Sequence, residues 1–448
     1  MPAYHDPAQF GFTPEADAET NVKALQQALD LGGTVRVERP GVYDLNATLR
    51  IGSDTALEFG AGVYLRRVAQ YAYTIANHGA FTHRYDRNIS VTGMKLLCNG
   101  MDVATAVEVP GLRAQVAFFY VKNLVIRDFQ CLDLPHRGFC IQVCTFEDIL
   151  LENLHIEGMK DAVHLGGGRR FAIRHGIFRT FDDPIALNAY DYSSSNPQFG
   201  WIEDGVIEDC HDLDQESTTG FFCRMLAGSW LAWYPGMEVR FSDLVAHDGR
   251  LYSVNTRPDG ATYISQTPPT HKSGSVRLDN EIVWRMVQDD YTRDCAIRNV
   301  HFKDIFLRKK RDCAFCMLLE LNQYARSIYP GAAMPVIQDI VLENIFFGNS
   351  IPCLLRSNAA CGTVKVINSV LDRSMVQLDT YSAMGGQYPP ANLLFSGTTF
   401  RDSGYEIIRC DTGRSAQLKT LGSIVEKPDG KFSISGDIRV DSADLPLA

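Results

Sequence analysis

The chain has 448 residues, 45% of them hydrophobic and 21% charged, the composition of a folded globular protein. At about 100–200 residues per domain, two or three units are expected unless the fold repeats along one axis. The net charge of −10, without a basic stretch interleaved with aromatics, argues against nucleic acid, whose binding rests on neutralising phosphates. The apolar runs are too short for a helix of about 20 apolar residues, so a membrane partner is not expected either.

No basic segment followed by an apolar one opens the sequence. Together with twelve cysteines scattered through strand-like segments, this points to reduced, buried thiols and a cytoplasmic setting, unless a leader has been trimmed from a secreted or periplasmic protein. Cys313 and Cys316 form a single CxxC without a second pair, so core packing is expected rather than zinc. Arg308 to Arg311 reads as a solvated turn.

In chain order, Asn21 to Asp30 carries Val22, Leu25, Ala28 and Leu29 on one helical face, with Thr20 placed to cap it and Gly32-Gly33 to end it. Thr34 to Val37 then alternates like a strand. A short amphipathic helix ahead of a β-rich chain suits the open end of a stack of strands, which otherwise exposes core and unpaired backbone. Next, Lys122 to Phe129 is echoed by Glu147 to Ile156, Phe171 to Phe178 and Ile202 to Ile207; past residue 290 come Cys295 to Phe302, Gln338 to Phe346, Val364 to Leu371 and Leu393 to Phe400. Each is a short alternating strand, a polar turn often holding Asn, and a second strand. Repeats of about 20–30 residues made only of short strands predict an all-β solenoid, a right-handed parallel β-helix. Hairpin signals are sparse between these strands, against a sandwich.

Residues 228–287 break the period. Trp230, Trp233, Met237 to Phe241, Arg250 to Val254, Thr262 to Ile264 and Ser275 to Leu278, with hairpin turns at Asp248-Gly249 and Asp259-Gly260, predict a small inserted antiparallel β-domain of about five strands. The β-helix then divides into 1–227, with its capping helix, and 288–448.

Asp161-Ala162-Val163-His164-Leu165 matches Asp183-Pro184-Ile185-Ala186-Leu187 at an offset of 22 residues. Stacked strands would place Asp161 and Asp183 one coil apart, about 4.8 Å, with Asp182 over Lys160. Such crowding can hold one carboxyl protonated while another stays ionised, the division of labour that glycoside hydrolysis needs. The same residues also fit a solvated turn before Pro184, with Asp161 ending a coil. The alignment puts Gln142, His164 and Arg224 on one line across successive coils, flanked by Ala186. Arg224 suits a sugar hydroxyl or carboxylate, or an ion pair with one of the acids. His164 suits tuning the acids, binding substrate or capping a turn. His136 and Arg137 lie one coil before Asp161. Tyr190, Tyr192, Trp230 and Trp233 follow the acid pair, and aromatic faces suit stacking on sugars or anchoring the insert. Gly166-Gly167-Gly168 lacks the Lys-Ser/Thr of a phosphate loop.

The blocks Lys160 to Leu165 and Thr180 to Asn188 resemble the two signature blocks of glycoside hydrolase family 28, the polygalacturonases, which read Asn-Thr-Asp-Gly and, about one coil later, Gly-Asp-Asp. Ala18 to Leu65 resembles the start of many pectin-lyase-like β-helix proteins. The resemblance implies an inverting hydrolase, with Asp182 as general acid and Asp161 and Asp183 activating water. Met159-Lys160 stands in place of the family's Asn-Thr and Ala162 in place of its Gly, and its Gly-His-Gly and Arg-Ile-Lys blocks are not recognisable. The inserted domain, and Asp182-Asp183 followed by Asn188, are similar to family 110, exo-acting α-galactosidases. The expected substrate is thus an oligosaccharide or polysaccharide with a galactose- or galacturonate-type bond, contacted by His164, Arg224, Gln142, Asn188, Tyr190 and Trp230, with no metal and no cofactor. The alternatives are a polysaccharide lyase, with calcium on the three acids, an epimerase on polymeric uronic acids, and a non-catalytic glycan-binding β-helix. No oligomeric state is implied.

Overall fold

The computed structural model describes residues 4–105, 108–256, 261–290, 292–322, 326–381, 388–401, 406–426 and 433–441. The capping helix runs over Ala18–Asp30 and buries Asn21, Ala24, Leu25, Ala28 and Leu29; Val22 is only half-buried. Its N-cap is Asp17 rather than Thr20: the Asp17 carboxylate accepts the Thr20 backbone N–H at 2.7 Å, as a short acceptor one residue before the first turn should. The buried face joins the same core as Leu45 and Leu49. Leu31 follows, and Gly32 and Gly33 (φ +68° and +70°) turn the chain into the strand Gly33–Val37.

The rest is a parallel β-helix. One wall stacks Ala114–Leu134, Phe139–Gly158, Gly168–Thr180, Ile202–Asp212, Ile297–Leu307 and Val336–Phe347 in parallel register. A second wall stacks Ile141–Val143, Val163–Leu165, Ile185–Asn188, Cys223–Leu226 and Phe315–Leu318. Lys122 lies opposite Glu147 and Glu147 opposite Arg169, offsets of 25 and then 22 residues, as the sequence repeats predict.

The polar turns have a conformational cause. Asn123, Asp148, Arg170, Asp204, Asn299 and Asp339 occupy one turn in successive coils, each with φ of +55° to +58°. Asn and Asp tolerate this left-handed region best among residues with a side chain. Neighbouring coils are also tied there, with Asn299 Nδ2 donating to Asp204 Oδ1 at 2.7 Å and Arg170 to Asp148 at 2.6 Å. Beside this turn, charge alternates in sign from coil to coil. Lys122 and Arg169 both meet Glu147 at 3.0 Å, and Lys303 meets Glu208 at 3.1 Å. A slip of one coil would oppose like charges, so the ladder favours the observed register.

The chain leaves the solenoid after Gly228–Ser229 and returns at Asp294–Cys295, two segments that pair antiparallel. Between them Leu244–His247, Arg250–Val254, Ile282–Asp289 and Ser275–Leu278 form an antiparallel sheet, with Leu231–Ala232 added parallel at its edge; Met237–Arg240 pairs with Thr262–Ser265. Asp248 and Gly249 both have positive φ (+49° and +70°), the conformation a two-residue hairpin favours. Asp259-Gly260 falls outside the described residues. Trp284 is fully buried. Trp233 Nε1 donates to Ser265 Oγ at 2.9 Å, an anchor within the insert itself. A buried pair, Arg326 to Asp243 at 2.7 Å, ties the insert to the second half of the solenoid.

All twelve cysteines are free and buried. Cys313 Sγ lies 3.2 Å from Cys353 Sγ of the next coil. No described helix is long and apolar enough to cross a membrane. Arg308 to Arg311 is not a solvated turn: Lys309 and Arg311 are buried, for a reason that lies in the site above them.

Candidate active site

The strand Val163–Leu165 stacks directly on Ile185–Asn188, His164 facing Ala186. The residues just before each strand stack too, the Ala162 backbone N–H donating to Asp183 O at 3.1 Å. Asp161 and Asp183 therefore lie side by side, as the offset of 22 predicts. Asp161, Asp182 and Asp183 each bring a carboxylate oxygen within 4.8 Å of the others. Asp161 and Asp183 are buried, whereas the Asp182 side chain keeps 26% of its surface exposed. Asp161 and Asp182 line a cleft of about 150 Å³ with Lys160, Asp191, Tyr192 and Arg224.

Three cations or potential cations surround the acids. Lys160 is ion-paired with Asp182 and lies 3.8 Å from Asp161. Arg224 Nε is 3.5 Å from Asp183 and its Nη2 3.4 Å from Asp191. His164, stacked on Phe139 with ring centroids 4.0 Å apart, turns Nδ1 to Asp161 at 3.4 Å and Nε2 to Asn196 Oδ1 at 3.0 Å. The two buried acids respond oppositely. Burial pushes the Asp161 carboxyl up, but His164 and the charges of Lys160 and Arg224 outweigh it and hold the group below its ordinary value. Burial, and then the neighbouring Asp161 charge, raise Asp183 to about 7 against the pull of Arg224. Asp183 Oδ1 also accepts the Phe221 backbone N–H at 2.7 Å, and Asp161 Oδ1 is buried without a hydrogen-bond partner among the described residues.

The turn carrying the acid pair is braced from below. Lys309 Nζ donates to the carbonyls of Thr180, Phe181 and Thr219, each at 2.8 Å. Arg311 forms a bidentate pair with Asp212 (2.7 and 3.0 Å) and also donates to Thr219 O. Burial therefore lowers Lys309, to about 8. At Gly220 (φ +78°) a Cβ would lie 2.7 Å from the Asp182 carbonyl carbon and 2.9 Å from Asp183 Oδ1, so the turn closes only on glycine.

The expected substrate contacts divide. Arg224 reaches the cleft and His164 lies just behind it. Gln142 is fully buried: its amide donates to Gly111 O and Ser195 O and accepts from Arg113 N, which makes it a support for the 191–196 loop. Asn188 is buried and donates to Asp191 at 2.6 Å. Tyr190 is buried, its hydroxyl donating to Arg326 O of the second half of the solenoid at 3.1 Å. Trp230 is 2% exposed and offers no face to a sugar. Both aromatics are thus corrected to packing residues, because both side chains are buried in the core, with Tyr190 stacked on Phe199 at 5.5 Å between ring centroids. His136 and Arg137 are exposed. Sequence reasoning missed Asp191, Asn196, Lys309 and Arg311. The polar run Asp191-Tyr-Ser-Ser-Ser-Asn196 directly after a strand was the available signal for the first two; nothing local marks the others.

The three acids have a spacing that a divalent cation can bridge. Lys160 and Arg224 already supply fixed positive charge to them, so the donor set fits a metal poorly. Cys98, Cys131 and Asp133 form a second close group, the two cysteines buried and Asp133 exposed.

No protein-family model matches the chain and no curated protein matches it in sequence. Among solved structures it is similar to the catalytic unit of the family 87 α-1,3-glucanase from Streptomyces thermodiastaticus (TM-score 0.53, 10% identity, covering 100% of this chain and 70% of that one). It is also similar to the family 28 exopolygalacturonase of Yersinia enterocolitica (0.49, 15%, 100% and 80%) and to the surface adhesin PfbA of Streptococcus pneumoniae (0.47, 12%, 98% and 100%). At such identities the glucanase likeness concerns the fold alone, a parallel β-helix.

Proposed function

We propose that the protein is an inverting glycoside hydrolase, exo-acting on a galactose- or galacturonate-type bond, with Asp182 as general acid and Asp161 and Asp183 activating water. One observation carries the reading: three clustered carboxyls at a cleft that Asp161 and Asp182 line, the two buried ones with their proton affinities driven in opposite directions. Asp161, held ionised, takes the proton of the attacking water. The water oxygen bonds to the anomeric carbon as the glycosidic C–O bond breaks, and Asp182 returns a proton to the leaving oxygen.

A second assignment has its own support. Asp182 is ion-paired with Lys160, whereas Asp183 is raised to about 7. On that assignment the cluster's proton rests on Asp183 and belongs to the coupled group rather than to one residue. The oxygens closer than 4.8 Å also fall short of the ~6.5–9.5 Å typical of inverting pairs, so stereochemistry is the decisive readout.

The test follows product from α- and β-linked galactosides, galacturonides and rhamnosides by proton NMR, with wild type and Asp182→Asn. Release of the inverted anomer, abolished in the variant, is expected. The retained anomer overturns inversion. Unsaturated product, lost on calcium removal, means a lyase. Glycan binding equal in both proteins, without turnover, means a binding module.

A further inference from the structure

A cavity of about 500 Å³ adjoins the catalytic cleft, sharing Arg113 and Ser194 with it, and reaches Arg137, Phe241 and Asn255. One wall is therefore solenoid, one the loop after Asp191, and one the inserted domain. Its volume lies within the ~300–1,000 Å³ of ordinary ligand sites.

The chemistry of this cavity is cationic in a protein of net charge −10. Among the described residues neither Arg113 nor Arg137 has a carboxylate within ion-pair distance of its guanidinium. Asp102 engages Arg137 only through the backbone N–H, at 2.7 Å, and Arg113 lies over the Phe139 ring at 5.5 Å. Behind the Pro110 wall stands a third arginine. Arg285 is 7% exposed and donates from Nη1 to Pro110 O at 3.2 Å, yet its Nε and Nη2 are buried without partners among the described residues. Among the described residues Ser253, directly across the sheet from Arg285, also leaves its hydroxyl unpartnered, as does Asn255 its amide oxygen. Burial lowers Arg285, to about 10, with no acid among the described residues to offset it. An uncompensated buried guanidinium is costly, and such groups mark places where an anion supplies the missing charge.

Resting on the hydrolase reading above, we infer that this cavity is a substrate subsite for a sugar unit carrying an anionic substituent, a carboxylate or a sulfate ester, bound by Arg137 and Arg113 and supported by Arg285. The inserted domain then acts as a selector, supplying Arg285 and Asn255 next to a cleft built by the solenoid.

The test is calorimetric binding to full-length Asp182→Asn protein, which removes turnover from the measurement. The probes are tetragalacturonate, its carboxyl-reduced counterpart with the same linkages, and a sulfated galactan tetrasaccharide with its desulfated form. At least one anionic probe should bind about ten-fold or more tightly than its neutral partner at low salt; which one does so separates carboxylate from sulfate. Adding the exposed Arg137→Ala change should cut that advantage to about three-fold or less, with the neutral probes unaffected. Arg285→Met, if folded by circular dichroism, should do the same. Equal binding of anionic and neutral probes, or a loss in Arg137→Ala shared by both, overturns the subsite. Hydrolysis assays on wild type run in parallel keep the two readings apart. Cleavage without anion preference refutes the subsite alone, whereas anion preference without cleavage upholds it and refutes the hydrolase.

Discussion

Lys309 Nζ donates to the carbonyl of Phe181 at 2.8 Å, holding the peptide immediately before the Asp182–Asp183 pair from two coils further along the solenoid. Lysine is suited to this because one ammonium carries three donors, and all three are used on backbone carbonyls of the two turns that build the site. Lys309→Met should leave those carbonyls without a donor and destabilise the protein by roughly 2–4 kcal/mol. Displacement of the acid pair should lower kcat by about a hundred-fold, with KM changed far less. Steady-state kinetics beside thermal unfolding check this; a loss of stability with unchanged kcat would show that the brace does not position the acids.

Gly220 makes a similarly local prediction. Its φ of +78° and the 2.9 Å approach of a hypothetical Cβ to Asp183 Oδ1 leave no room for alanine. Gly220→Ala should cost about 1–3 kcal/mol from strain and shift Asp183 enough to reduce turnover. Wild-type Tm and activity in this variant would refute the close approach.

The raised Asp183 carboxyl links stability to pH. An acid whose folded value is raised contributes stability that is fully present below its unfolded value, near ~3.9, and lost as pH rises through about 7. Asp183→Asn stays neutral throughout, so its stability relative to wild type should improve between pH 4 and 7 and then level off, by at most roughly 4 kcal/mol. Urea denaturation of both proteins across that range measures it. A difference independent of pH would mean that Asp183 titrates normally.

Trp230 separates packing from recognition. Being 2% exposed within the core, it should report on stability alone: Trp230→Phe is expected to lose about 1–3 kcal/mol while saccharide affinity stays within about two-fold. A ten-fold loss of affinity with unchanged Tm would return Trp230 to the substrate site.

Much of this protein was legible before its tertiary structure. The strand repeats, their spacing of 25 and 22 residues, the capping helix, the insert and the line from Gln142 through His164 and Ala186 to Arg224 all follow from apolar alternation. In a solenoid each coil packs on its sequence neighbours, and so register is nearly a local property. The adjacency of Asp161 and Asp183 came from the same alignment. What the sequence could not decide was where chain far away in sequence returns to the site. Lys309 and Arg311 look like a charged turn until Thr180, Phe181, Thr219 and Asp212 close over them. Tyr190 and Trp230 look like a sugar platform until the fold buries them in the core. Gln142 shares the line with Arg224, yet the loop of Asp191 to Asn196 folds over one and leaves the other facing the cleft. These outcomes depend on contacts across many residues, whose closure and burial no local pattern records, and only the folded chain resolves them.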